Sequence, residues 1–302
     1  MDIAIIGTGA IGGYYGARLA HSGNDVHFLL HSDFEYVKEH GLTVDSHFGD
    51  FSLPKPKIYA NTREMPPCDL VCVAVKATAN AVIFPQLAGV VKAGGAILLL
   101  QNGFGYEPQL AALYPKQSIL AGLCFICSYR DGPGRVRHTD YGKLSLAAMD
   151  NDGDALARIS ELFERAGVET EVKADLTEAR IRKLMWNIPY NGMSVIADCR
   201  TDALVKNPAM RSATCAVMDE ILQAAKAVGA AIEPSFADEM VRLTDEMVPY
   251  DPSMRLDFLA GRPLEIEAIY GNFIDYAEQR GYEMRFAKMM KWQLEYLETR
   301  FR

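Results

Sequence analysis

Lys183, Asn187 and Asn191 recur at intervals of four in the run LTEARIRKLMWNIPYNGMSVIAD, residues 176–198. On a helix of about 3.6 residues per turn, their side chains fall within roughly 80° of one another. Ile181, Leu184, Met185 and Ile188 occupy much of the remaining surface, so the polar stripe runs along a largely buried helix. A lysine and two carboxamides there need partners, because burying an unpaired polar group costs about 1–3 kcal/mol. The stripe therefore reads as the working edge of an enzyme, with a cation or proton donor beside two hydrogen-bonding amides. Pro189 removes the bond to the Met185 carbonyl and is expected to kink the helix mid-stripe. Gly192 beyond it permits close backbone approach.

A second constellation opens the chain. Residues 2–6 form an apolar strand, followed by Gly7, Thr8, Gly9, Ala10, Ile11 and Gly12, a helix to about His21 and a second strand at 26–30. Strand, GxGxxG, helix and strand in about thirty residues is the dinucleotide-binding fingerprint in its required context. Gly7 permits the tight turn, Gly9 lets the backbone approach a pyrophosphate, and Gly12 lets helix and strand pack closely. The pyrophosphate is expected on the helix N-terminus. The second strand ends at Leu30-His31-Ser32-Asp33. No carboxylate stands where a ribose diol would be bound, Ser32 can donate to a phosphate, and His31 can partly stand in for an arginine. NADP(H) is favoured over NAD on that basis.

The elements that must position these groups follow the same logic. Strand-like runs recur at 70–75, 96–100 and 119–128, separated by helical or loop stretches, as in a doubly wound sheet. Two of them end in polar residues at the edge where ligands bind in such folds: Lys76, and Asn102 within Gln101-Asn102-Gly103-Phe104-Gly105. Residues 130–134 read as a turn leading into further strands at 136–147, a hairpin-like extension of the sheet. An amphipathic helix is expected at 156–166 and a short strand at 168–172. Beyond Asp175 the pattern is helical, with helices at 207–228, 234–247, 264–280 and 285–300. The expected fold class is therefore α/β, a Rossmann-type doubly wound sheet domain followed by an all-helical C-terminal domain. The domains are placed at residues 1–172 (dinucleotide-binding) and 173–302 (helical, substrate and catalytic), packed directly with a cleft between them.

Composition narrows the class of function. A chain of 302 residues, 49% of them hydrophobic, with a formal net charge of -8, can bury a proper core and offers nucleic acid no basic surface. No apolar run reaches the roughly 18–20 residues of a membrane span, and Met1 leads straight into a strand, so no secretory signal is expected. Six cysteines are too few for a disulfide framework, which points to a reducing cytoplasm. Cys124 and Cys127 form a CxxC, but in a strand these positions face opposite ways, which argues against a redox pair. No metal site is expected.

The ordered set GTGAIGG, Val75-Lys76-Ala77, Gln101 to Gly105, Arg182-Lys183-Leu184 with Asn187 and Asn191, Ser253-Met254 with Asp257, Gly261-Arg262-Pro263, Glu265-Ile266 and Gly271 resembles the ketopantoate reductase family over nearly the whole chain. The resemblance implies hydride transfer from NADPH to the ketone of 2-dehydropantoate, giving (R)-pantoate for pantothenate synthesis. It implies that Lys183 donates the proton to the forming alkoxide and that Asn187, Asn191 and Ser253 bind substrate. Lys76 and Asn102 would bind cofactor and help position the ketone, with Glu265 at the cofactor edge near the lysine. Ser128, at a further strand end, would lie close to the nicotinamide. The sequence departs from the family pattern at His31, where arginine is frequent, and at Tyr270, where asparagine is usual, so an altered pocket is open. The competing readings are a reductase of another branched 2-oxo acid, using NAD, and a non-catalytic nucleotide sensor, which would have no need of Lys183 and Glu265 together. The expected partner is a small 2-oxo acid, with no nucleic acid or membrane; a homodimer is left open.

Overall fold

The computed structural model describes residues 1–150 and 152–301. In it the chain divides into two units, Met1–Gln101 with Tyr106–Leu176, and Asn102–Gly105 with Thr177–Arg302. The first opens on β1 (Asp2–Ile6), α1 (Ala10–His21) and β2 (Asp25–Leu29). Then come α2 (Phe34–His40), β3 (Leu42–Ser46), β4 (Phe51–Leu53), β5 (Lys57–Tyr59), β6 (Cys68–Val73), α3 (Asn80–Ile83) and β7 (Val91–Leu99). It is completed by α4 (Glu107–Leu113), β8 (Ser118–Arg130), β9 (Arg135–Ala148), α5 (Gly153–Arg165) and β10 (Thr170–Val172).

These strands form one sheet in the order β4-β3-β9-β8-β7-β6-β1-β2-β5, with β10 on β9. From β5 to β8 the neighbours run parallel. β1 explains why such strands read as unbroken apolar runs: both of its faces are covered. Ile3 and Ile5 enter a core with Tyr15 and Leu19 of α1 and Phe163 of α5. Ala4 and Ile6 enter another with Phe84 and Leu110. β8 and β9 make the expected antiparallel hairpin, registered from Leu120↔Ala148 to Arg130↔Val136. The periodicity leaves residues 42–59 without elements, yet the structure forms β3, β4 and β5 there. β4 and β5 have three residues each and no buried position, too short to carry an alternation. β3 gains its place by parallel pairing with β9, a contact almost a hundred residues distant in sequence, Thr43↔Arg135 to Ser46↔His138.

The second unit is helical: α6 (Leu176–Trp186), α7 (Gly192–Ile196), α8 (Thr201–Lys206), α9 (Pro208–Ala227), α10 (Ser235–Glu246), α11 (Ser253–Leu259), α12 (Asn272–Glu278) and α13 (Arg285–Glu298). Its core gathers Ile181, Leu184, Met185, Ile188, Tyr270 and Phe273 around Phe104. The helix expected to kink at Pro189 is instead interrupted by a π turn, Asn187–Asn191, between α6 and α7. Proline has no N–H to give the ladder, and a widened turn accommodates the gap. The helix expected over 264–280 is shorter. Leu264 and Glu265 precede it, and it begins with a second π turn, Glu267–Gly271, that runs into α12. No helix among the described residues is long and apolar enough to cross a membrane.

Candidate active site

The glycine-rich loop after β1 is shaped by what side chains would hit. Gly7 has φ +98°, and a Cβ there would lie 2.6 Å from Val75. At Gly12 a Cβ would fall 2.1 Å from the Gly7 carbonyl oxygen, so the loop and the first turn of α1 touch backbone to backbone. Gly9, the N-cap of α1, has open space where a Cβ would be and makes no side-chain capping bond. This bare helix start suits a pyrophosphate, which backbone N–H groups and the helix dipole would hold. Thr8 donates to the Leu29 carbonyl at 2.9 Å, tying the loop to the end of β2. Ala10 and Ile11 form the first turn.

At the end of β2, His31 and Ser32 are exposed, whereas Asp33 is only 6% exposed. Its Oδ1 accepts from the Ser32 hydroxyl at 2.8 Å and from Arg130 Nη2 at 2.5 Å, and its Oδ2 accepts from the Gly134 N–H at 3.1 Å. Asp33 is therefore spent on the tip of the β8–β9 hairpin. Ser32, read from sequence as a phosphate donor, donates its hydroxyl hydrogen bond to that carboxylate. Sequence reasoning missed Arg130 as a neighbour of this strand end, since only the hairpin brings it there.

Lys76 is exposed, just beyond β6. Gln101, beyond β7, donates from Nε2 to the Val75 carbonyl at 2.8 Å and to Asn80 Oδ1 at 2.6 Å, and the Asn80 amide donates back at 3.2 Å. This amide pair clamps the ends of β6 and β7, and Asn80 was also missed. Ser128 lies in β8 opposite His138, at a register irregularity, and its buried hydroxyl has no hydrogen-bond partner among the described residues.

In the helical unit, four of the expected residues form one chain of hydrogen bonds. Asn187 Nδ2 donates to Asn102 Oδ1 at 3.4 Å, and Asn191 Nδ2 donates to Asn187 Oδ1 at 3.2 Å. Asn191 Oδ1 in turn receives the Met254 N–H at 3.1 Å and the Ser253 hydroxyl at 3.4 Å, at the start of α11. Asn187 and Asn191 are 2% and 1% exposed, so this amide chain answers the demand that buried carboxamides be paired. Lys183 stands half-buried on α6, one turn before Asn187. Glu265 is buried two residues before the second π turn.

The two π turns are joined. Tyr270, on the second, is fully buried and donates its hydroxyl to the Ile188 carbonyl of the first at 2.6 Å. Gly192 makes room for it, because a Cβ there would lie 2.0 Å from the phenol oxygen. Burial holds the Tyr270 hydroxyl far above its ordinary pKa, against the smaller opposing effect of a backbone hydrogen bond at Gly192, so it stays a donor. Tyr270 thus stands behind the turn that carries the asparagines, where its only signal in sequence was the departure from the family's usual asparagine.

Residues 3–151 match the family model for ketopantoate reductase PanE/ApbA, and residues 175–293 match the model for its C-terminal part. A 2-dehydropantoate 2-reductase of Nostoc sp. is 43% identical over 99% of this chain and 96% of its own length. The crystal structure of 2-dehydropantoate 2-reductase from Geobacter metallireducens superposes with a TM-score of 0.94 at 38% identity, covering 98% of this chain and 99% of that one. The corresponding structure from Methylococcus capsulatus gives 0.90 at 30% identity, covering 100% and 98%.

Proposed function

The chain belongs to the ketopantoate reductase family, and from that membership we propose that it is an NADPH-dependent 2-dehydropantoate 2-reductase. Its product would be (R)-pantoate, made in the cytoplasm for pantothenate synthesis. The observation that supports this most is the amide chain from Asn102 through Asn187 and Asn191 to Ser253, beginning one turn after Lys183. When bound, a nicotinamide dinucleotide supplies a hydride. In this reading the loop from Gly7 to Gly12 holds its pyrophosphate, His31 and Ser32 meet the adenosine ribose, and Lys76 and Asn102 bind toward the reacting end, whereas Ser128, two residues before Arg130 on β8, lies on the strand that reaches the end of β2.

Asn187, Asn191 and Ser253 hold the 2-oxo acid in this reading. Lys183 gives its proton to the ketone oxygen as that oxygen becomes an alkoxide, which a cation within hydrogen-bond reach stabilises. Glu265 positions Lys183 and the cofactor edge. The preference for NADPH is supported at Asp33: this carboxylate just beyond β2 is already committed to Arg130, Ser32 and Gly134, not offered to a ribose diol.

Initial rates with 2-dehydropantoate and a panel of other branched 2-oxo acids, each with NADPH and NADH, test the assignment. The expected result is the highest kcat/KM for 2-dehydropantoate with NADPH. A higher value for another 2-oxo acid would replace the substrate, and equal or better rates with NADH would overturn the cofactor.

A further inference from the structure

The end of β2 lacks the guanidinium that would mark it as a 2′-phosphate site, but an arginine arrives from elsewhere in the same unit. Arg130 is the last residue of β8, and its Nη2 shares the Asp33 Oδ1 oxygen with the Ser32 hydroxyl. Two donors on one acceptor oxygen lie within about 5 Å of each other. The guanidinium is thereby fixed beside the residue that follows His31. A second contact places the hairpin independently. Val136, the register partner of Arg130, packs where a Cβ on Gly13 would sit, 2.7 Å away, in the first turns of α1. The hairpin tip is thus held both at the end of β2 and near the N-terminus of α1. In doubly wound folds these are the positions of the adenosine ribose and the pyrophosphate.

Exposure decides which charge an incoming anion meets. The Asp33 side chain is 8% exposed and that of Arg130 is 43% exposed. The carboxylate works as a buried anchor, and the guanidinium presents its cationic face to solvent. One of its five N–H donors holds Asp33, which leaves a planar fork suited to a phosphate.

We propose that Arg130 is the cation that recognises the adenosine 2′-phosphate, so that selectivity for a 2′-phosphorylated dinucleotide comes from the β8–β9 hairpin, with Asp33 as the anchor that aims it. This rests on the reading of the chain as an NADPH enzyme, and it moves the specificity determinant from His31 to Arg130.

Titration calorimetry of the full-length protein with 2′,5′-ADP and with 5′-AMP separates the two claims, because the ligands differ only in the 2′-phosphate. Wild type is expected to bind 2′,5′-ADP at least about tenfold more tightly, an advantage that shrinks as salt is raised. Arg130→Met should abolish most of that advantage and leave 5′-AMP within about twofold. Because this change strands the Asp33 charge, Arg130→Met with Asp33→Asn is measured beside it, removing cation and anchor together. His31→Arg added to that pair should restore preference for 2′,5′-ADP, which a merely structural role for Arg130 would not give. Wild type that does not distinguish the ligands overturns the NADPH reading and the Arg130 site with it. Wild type that distinguishes them, with the double variant keeping the same ratio, overturns Arg130 alone.

Discussion

The hydroxyl of Tyr270 reaches across to the carbonyl of Ile188 at 2.6 Å and joins the two π turns of the helical unit. Tyr270→Phe removes the donor and leaves that carbonyl short of a partner in a fully buried place. A stability loss of about 1–3 kcal/mol is expected, read as a lower thermal midpoint. The π turn also carries Asn187 and Asn191; if they hold the 2-oxo acid as proposed, its KM should rise by roughly threefold to tenfold, on the order of 1 kcal/mol of positioning. The dissociation constant for cofactor should not move. An unchanged KM in a folded Tyr270→Phe protein would mean that the asparagines do not depend on this bond.

Gly192→Ala tests the same contact from the other side. The added methyl would stand 2.0 Å from the phenol oxygen and 2.7 Å from Met290 Cε. Crowding of this kind costs about 1–3 kcal/mol, more than the roughly 1 kcal/mol that alanine gains over glycine in a helix. With Tyr270→Phe in the same chain, the loss should be smaller than the sum of the two single losses. Denaturant unfolding of the four proteins gives the coupling, and strict additivity would show that Gly192 is not there to admit Tyr270.

Lys183→Ala separates chemistry from architecture. If Lys183 is the general acid, kcat should fall by about 10²–10⁴ while cofactor affinity changes little. Glu265→Ala should also slow the reaction, with the larger share in KM, and the double variant should lose less than the product of the singles. A folded Lys183→Ala protein that keeps more than about a tenth of kcat contradicts the role.

His138 makes stability fall with acid. It is 2% exposed, and burial lowers its pKa against the opposing effect of two carbonyls. Nε2 faces the oxygens of Tyr141 at 2.9 Å and Asp140 at 3.1 Å, and Nδ1 meets the Ser46 hydroxyl at 2.8 Å, so the neutral ring fits with its proton on Nε2. Below the ordinary histidine value of about 6.5 the unfolded chain takes up a proton that the folded one resists. This contribution is therefore present above that pH and is lost as pH falls through the folded value. His27, lowered by its own burial, acts in the same direction. His138→Gln should flatten the decline of the thermal midpoint between about pH 7 and pH 5, and an unaltered slope would assign that decline to other groups.

Where local pattern met a local cause, the sequence could be read. The GxGxxG loop between two apolar strands and the lysine–asparagine stripe each announce themselves within a few turns of chain. The α/β fold with its helical C-terminal part followed from the same periodicities, and the family resemblance agrees with the matches over residues 3–151 and 175–293. Other features depend on distant contacts that no window of sequence contains. Pro189 signalled an interruption, but not the bond that the neighbouring Ile188 carbonyl accepts from Tyr270, 82 residues further on. Nothing local marks Asp33 as the anchor that Arg130, 97 residues on, makes of it. β3 holds its place between β4 and β9, and its pairing with β9 spans about ninety residues of sequence.

The short loop after Gln101 has a consequence for anyone cutting or splicing this protein. Residues Asn102–Gly105 leave the sheet's chain but belong to the helical unit. Gly103 lies flat on Ala268, the Phe104 N–H bonds the Ala268 carbonyl at 3.0 Å, and Asn272 bonds the Phe104 carbonyl at 2.7 Å. A fragment ending at Leu176 would carry Phe104 with its core missing and expose an aromatic side chain that is 6% accessible in the whole chain. A fragment starting at Thr177 would lack a piece of its own interior. Chimaeras that trade the helical unit between relatives must therefore transplant two stretches of polypeptide, the tetrapeptide as well as the helices.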